Sequence, residues 1–289
     1  MNGLTKEELI QENNELLKRC DEFAANLYRL NNKLKEAEST KGHFISNISN
    51  EIMNPFSSIM VLSEAIQKMG DDEMAKAKSM AALIYDEAFH LDFQLKNIFT
   101  AAAFEAGTVG IKPVTVQLEE LFRNQLLFFE KQINAKGLTV ELVFDNQKGK
   151  GGESTFVTDE EKLELILKNL LDNAIKFSRE KGQIDVHAKL SAGKCIFTVC
   201  DNGKGIPKDK MQEVFDRFKQ LDDRINSTNT GHGLGLSVVH SCVQLLDGQL
   251  GIENGKDKGM VVTVTMPELE RNADWEQLDQ FLLGPDQKF

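Results

Sequence analysis

Long apolar runs are missing from this chain of 289 residues: no segment approaches the ~20 consecutive apolar residues that span a bilayer. The opening Met1-Asn2-Gly3-Leu4-Thr5-Lys6 lacks the apolar core of a signal peptide. A cytoplasmic location is therefore expected, either for a wholly cytosolic protein or for a chain whose upstream sensor module has been cut away. An excess of positive charge is missing too. The 34 basic side chains are outnumbered by 45 acidic ones, a net charge of −11, which argues against nucleic acid or an anionic membrane as the main partner. Cysteines are scarce. Cys20, Cys195, Cys200 and Cys242 form no C-x-x-C pair and no metal-ligand spacing, so they read as buried thiols in a reducing compartment. Apolar residues are not scarce: at 41% of the chain they suffice for a sizeable core and exclude wholesale disorder.

Four segments emerge. In residues 1–38, Leu9, Leu16, Phe23, Leu30 and Ala37 recur every seven residues. Asn13, Cys20, Leu27 and Leu34 recur at the same interval, offset by four. These alternating steps are the a/d seam of a coiled coil, and an asparagine in the seam favours a two-stranded one. A single amphipathic helix packed on a globular body would show the same stripe. Residues 39–107 read as a helical hairpin. The stripe Phe44, Ile48, Ile52, Ile59, Leu62, Ile66 and Met69 defines its first helix. The break falls at Gly70-Asp71-Asp72. The stripe Met80, Leu83, Ile84, Ala88, Leu91, Leu95 and Ile98 defines the second helix, over about 73–104. Pro55 is expected to kink the first helix, and two hairpins would make a four-helix bundle. Residues 108–267 switch to mixed elements. Helices are expected at 117–135, 159–177 and 234–247, and strands at 138–145, 183–190, 194–201, 249–253 and 259–266, with a weaker one near 154–158. The fold class is thus α+β. Residues 268–289 form an acidic tail with Trp275, Leu278 and Leu282 on one helical face, a packing helix or a docking segment.

Within the third segment, Asn169, Asn173 and Lys176 share one face of the helix expected at 159–177. Amide oxygens suit Mg²⁺, and a lysine is a point charge for phosphate. The strand at 194–201 leads into Asp201-Asn202-Gly203-Lys204-Gly205-Ile206-Pro207. A carboxylate there can accept a hydrogen bond from an adenine amino group, and the glycines permit close approach of a ligand. Val214-Phe215-Asp216-Arg217-Phe218 follows, then a polar stretch from Lys219 to Thr230 suited to a lid. Gly231-His232-Gly233-Leu234-Gly235-Leu236 then opens an apolar helix, whose free N–H groups suit phosphate.

In order and spacing, these four elements resemble the nucleotide-binding boxes of the Bergerat-type ATP-binding domain, an α/β sandwich shared by histidine kinases, Hsp90, gyrase B and MutL. The preceding hairpin points to histidine kinases. The absence of a transducer domain argues against an ATPase clamp of the Hsp90 or MutL kind. The resemblance implies ATP and Mg²⁺ as cofactors. It assigns Asn173 to the metal, Asn169 to supporting the same site, Lys176 to a phosphate and Asp201 to adenine. Gly203, Gly205, Gly231, Gly233 and Gly235 would shape the pocket and its lid. Arg217 reads equally as a phosphate contact or as an exposed surface arginine. The implied partners are a second copy of the chain, forming a homodimer through the coiled coil and hairpin, and the receiver domain of a response regulator.

The stretch Phe44-Ile45-Ser46-Asn47-Ile48-Ser49-Asn50-Glu51-Ile52-Met53-Asn54-Pro55-Phe56 resembles the phosphoacceptor box of the same family, which reads Ser-His-Glu followed three residues later by Pro. Here Asn50 stands at the histidine's place. By helical phase it projects about 150° from the apolar stripe, towards solvent. A neutral imidazole nitrogen offers a lone pair; an amide nitrogen has its lone pair delocalised into the carbonyl and is a poor nucleophile. Autophosphorylation at the usual place is therefore expected to be absent, whether the asparagine is engineered or natural. Glu51, which in the family assists proton removal, has no imidazole to activate. Asn54 matches the family residue that orients water for hydrolysing a regulator's aspartyl phosphate. Two readings follow: a histidine-kinase-type core retaining regulator phosphatase activity, or a non-catalytic pseudo-histidine-kinase scaffold that regulates a partner.

Overall fold

The computed structural model describes residues 52–146, 154–207, 210–211, 214, 233–255 and 259–270. The coiled-coil seam, Asn50, Glu51, Arg217, Gly231 and the acidic tail from residue 271 onwards lie outside the described residues. The chain divides into two compact units, Met1–Leu91 and Asp92–Phe289.

In the first unit a helix, α1, is described over 52–67, and a single 3₁₀ turn at Asp71–Glu73 makes the expected break. The second helix, α2 (Met74–Ala106), starts here and ends in the second unit. Between residues 52 and 91 no described residue is buried, and Met53, Phe56, Met60, Val61, Met74, Leu83 and Tyr85 are at least half exposed.

The second unit takes in the last turns of α2. It continues with β1 (Pro113–Gln117), α3 (Leu118–Phe128), α4 (Glu130–Ala135), β2 (Thr139–Asn146), β3 (Thr155–Asp159) and α5 (Glu160–Phe177). Then come β4 (Gln183–Ser191), β5 (Lys194–Asp201), α6 (Gly235–Leu245), β6 (Gln249–Asn254) and β7 (Met260–Pro267). Five strands form one mixed sheet in the order β2-β4-β5-β7-β6, in which β2 runs parallel to β4 and the other neighbours are antiparallel. β1 and β3 pair as a separate antiparallel ribbon.

Period-two alternation makes this sheet one-sided. Ile184, Val186, Ala188 and Leu190 on β4 face inwards, as do Cys195, Phe197 and Val199 on β5 and Val262, Val264 and Met266 on β7. Helices cover that face: Phe122 of α3 sets its ring edge against Phe197, with centroids 5.2 Å apart. The opposite face presents Asp185, His187, Lys189, Thr198 and Cys200, none of them buried. Cys200 is therefore half-buried on the open face rather than in the core, whereas the thiols of Cys195 and Cys242, pushed up to about 12 by burial, lie inside.

α5 runs through the middle of the core. Leu163, Ile166, Leu167, Leu170, Leu171 and Ala174 are all buried, and each large aliphatic side chain contributes about 1.5–3 kcal/mol. Asp159 caps its start, accepting from the backbone N–H of Lys162 at 3.0 Å and from that of Lys112 at 2.8 Å. The helix expected at 117–135 is broken at Phe129, which leaves helical geometry and is fully buried, its ring against those of Phe93 and Phe128. In α2 the buried positions are Phe93, Asn97 and Ala101, a stripe distinct from the expected apolar one, of which Leu83 and Ala88 are exposed.

Candidate nucleotide-binding site

α5 is the common wall of the candidate site. Its middle faces the start of α6. A methyl group on Gly235 would lie 2.9 Å from Oδ1 of Asn169 and 3.6 Å from Nδ2 of Asn173, so the second glycine loop reaches its helix directly over both asparagines. A side chain there would have to displace the buried amide of Asn169. The C-terminal end of α5 faces the first glycine loop, where a methyl on Gly203 would collide with the carbonyl oxygen of Phe177.

The two asparagines differ in role. Asn169 is 3% exposed, and its amide donates to Oδ1 of Asn97 at 2.7 Å and to the carbonyl of Leu165 at 2.8 Å. Both N–H donors are thus used inside the protein, and Asn169 joins α2, α5 and the start of α6. Asn173, one turn on, is half-buried. Lys176 is partly exposed and pairs with Asp172 on its own helix at 2.6 Å.

Asp201 ends β5. Its Oδ1 accepts from the backbone N–H of Gly203 at 2.8 Å and of Met260 at 3.3 Å. Both bonds fall on one oxygen, and Oδ2 takes part in neither. Burial raises the pKa of this carboxyl above 3.8, and the two backbone donors partly offset the rise. Gly205 and Gly233 both adopt positive φ, 68° and 66°, which non-glycine residues rarely adopt. Asn54 sits exposed on α1, in the other unit.

Two contributors, Lys136 and Asn254, escape a reading of motifs. Lys136, before β2, donates from Nζ to the carbonyls of Ile175 and Lys176 at 2.7 and 2.8 Å. It closes the C-terminus of α5 with a positive charge; burial lowers its pKa, against the opposing effect of Glu180. Gly259, at φ 94°, lies so close to the carbonyl of Asp201 that no side chain fits there. Asn254, last residue of β6, reaches the first glycine loop. Neither Lys136 nor Asn254 belongs to a spaced motif, so each needs the fold to be seen, whereas Gly259 opens the Gly259–Val264 stretch that resembles the glycine-then-strand close of the ATP-binding domain.

The donor set fits Mg-ATP. Among the described residues no cluster of three His, Cys, Asp or Glu could cage a metal. What is present is an amide beside a helix N-terminus and a partly buried carboxylate, a set that suits Mg²⁺ held largely through nucleotide phosphates and water.

Comparisons with known proteins agree. Residues 158–270 match the family "Histidine kinase-, DNA gyrase B-, and HSP90-like ATPase". The chain is 28% identical over 233 residues to the circadian input-output histidine kinase CikA of Synechococcus elongatus, covering 80% of this chain and 30% of that protein. It is 28% identical over 254 residues to the autoinducer 2 sensor kinase/phosphatase LuxQ of Vibrio parahaemolyticus, covering 85% of this chain and 29% of that one. It thus spans about a third of the length of these relatives. The crystal structure of full-length ShkA in complex with AMPPNP shares the fold at a TM-score of 0.56 and 22% identity, over 79% of this chain and 46% of that one. Residues 158–270 thus carry a histidine kinase-, DNA gyrase B- and HSP90-like ATPase domain, in a chain that is similar to sensor histidine kinases over most of its length.

Proposed function

We propose that this chain binds Mg-ATP and a response regulator as the core of a two-component signalling protein, and that Asn50 stops it from phosphorylating itself at the usual position. The observation that carries the nucleotide reading is the arrangement of Asp201. Its Oδ1 is held by two backbone donors, which orient Oδ2 as an acceptor for an adenine amino group. Asn173 would offer its amide oxygen to Mg²⁺, and the N-terminus of α6 would meet phosphate. Lys176 would reach phosphate by exchanging its contact with Asp172. Bound Mg-ATP would supply the transferable phosphoryl group; position 50 offers no nucleophile to take it.

Regulator phosphatase activity survives this loss. Water attacks the phosphorus of the aspartyl phosphate, the bond to the regulator's carboxylate breaks, and inorganic phosphate leaves. Exposed Asn54 would orient that water, and no histidine is required. The relative LuxQ carries both kinase and phosphatase in its name. The second reading, a non-catalytic scaffold, rests on Asn50 itself. In both readings the hairpin pairs with a second copy, because its apolar side chains lack a covering surface within the described chain.

Calorimetric titration with ATP and Mg²⁺ tests the nucleotide site. The chain is expected to bind, and Asp201→Asn to bind about 10- to 100-fold more weakly, the worth of a hydrogen bond to a charged group. Absence of binding by the unmodified chain, or equal binding by both, would overturn the reading.

A further inference from the structure

We infer that Asn254 is a positioning residue for nucleobase recognition, acting on the adenine-facing loop from the far end of the sheet. Its side chain makes two hydrogen bonds to one residue: Oδ1 accepts from the backbone N–H of Ile206 at 2.8 Å, and Nδ2 donates to the backbone carbonyl of Ile206 at 2.7 Å. An amide side chain that meets both backbone groups of one residue does what a neighbouring β-strand would do. Here it gives a strand-like partner to a loop that has no regular secondary structure.

The contact closes a circuit through the base-reading carboxylate. Asn254 pairs with Met260 across the β6–β7 ladder. The N–H of Met260 donates to Oδ1 of Asp201. From Asp201 the chain runs five residues to Ile206, which Asn254 holds. Both ends of the loop are thereby referred to a single rung of the sheet. The space around it is tight. A methyl on Gly205 would lie 2.7 Å from Oδ1 of Asn254 and 3.1 Å from the carbonyl of Gly259, and the N–H of Gly255 donates to that same carbonyl at 3.1 Å. Truncating Asn254 removes both loop contacts and leaves the Gly205–Ile206 end without a fixed partner, which frees Asp201 and Gly203 to shift against the base.

The consequence is specific to the base. Adenine presents an amino donor to a carboxylate, whereas guanine presents a carbonyl oxygen at the same edge, so a well-placed Asp201 attracts one and repels the other. A displaced Asp201 discriminates less.

This inference rests on the nucleotide reading, and one series of titrations separates the two. ATP and GTP, each with Mg²⁺, are titrated into the unmodified chain, Asn254→Ala and Asn254→Asp, with exchange of the Ile206 amide followed by mass spectrometry. The unmodified chain is expected to prefer ATP. Asn254→Ala should bind ATP roughly tenfold more weakly, as two neutral hydrogen bonds require, with a smaller ATP-to-GTP ratio and faster exchange at Ile206. Asn254→Asp keeps the acceptor and loses the donor, so it should fall between the two. Equal loss of ATP and GTP affinity, or unchanged selectivity with faster exchange, would make Asn254 merely structural and overturn the inference. Failure of the unmodified chain to bind ATP would instead overturn the nucleotide reading beneath it.

Discussion

At the scale of single residues, Asp201 is the most consequential side chain. Its carboxyl has a raised pKa in the folded protein because burial disfavours the charged form. The folded state therefore holds the proton more tightly than the unfolded chain does. Between the two pKa values the unfolded chain binds fewer protons, so this group's contribution to stability falls as pH rises from 3.8 through the folded value. Nucleotide affinity moves the opposite way, because only the carboxylate is a full acceptor for an amino donor. ATP binding should weaken on acidification with a midpoint above 3.8, and Asp201→Asn should lack that dependence. Titrations from pH 4 to 8 on both proteins check this; ATP affinity unchanged down to pH 4 in the unmodified chain would contradict it.

At the scale of elements, the last turns of α2 are fastened to α5. Asn97 is buried and accepts from the equally buried amide of Asn169. Asn97→Ala should destabilise the second unit by about 1–3 kcal/mol, since it strands a buried donor. Urea unfolding measures this, and a change within about 0.5 kcal/mol, as at an ordinary surface position, would contradict it. Elements with a strong local signature were legible in the sequence. α5 has a cap at Asp159, acidic residues in its first turn and a full apolar stripe, and it falls at Glu160–Phe177 against an expected 159–177. β4 and β5 follow from alternation alone. Missed elements depend on distant partners. β1 is five residues long and exists by pairing with β3, some forty residues on. The break at Phe129 answers to rings on α2 and α3. The stripe Phe93, Asn97 and Ala101 gives no clear signal in the sequence, because an asparagine inside a buried stripe does not look apolar.

At the scale of the whole molecule, the nucleotide motifs were readable because they are dense and ordered, and the structure places Asn169, Asn173 and Gly235 together, with Asp201 and Gly203 at the end of the same helix. What the motifs did not reveal is what holds them: Lys136, just before β2, and Asn254, at the end of β6, carry no spacing signal. The first unit lacks a buried residue over 52–91 among those described, while seven of its apolar side chains are at least half exposed. A second hairpin would cover them. Sedimentation equilibrium at micromolar concentration should therefore show a dimer, weakened by Leu83→Glu; a monomer at tens of micromolar would contradict the pairing.

If Asn50 alone stops the proposed kinase core, one substitution should restore it: the chain and its Asn50→His variant are incubated with γ-labelled ATP and Mg²⁺. Label is expected in the variant alone, stable to base and lost in acid as a phosphorylated imidazole would be. Label in the unmodified chain would mean that another residue accepts the phosphoryl group, and label in neither would mean that the core is no kinase even with its histidine restored.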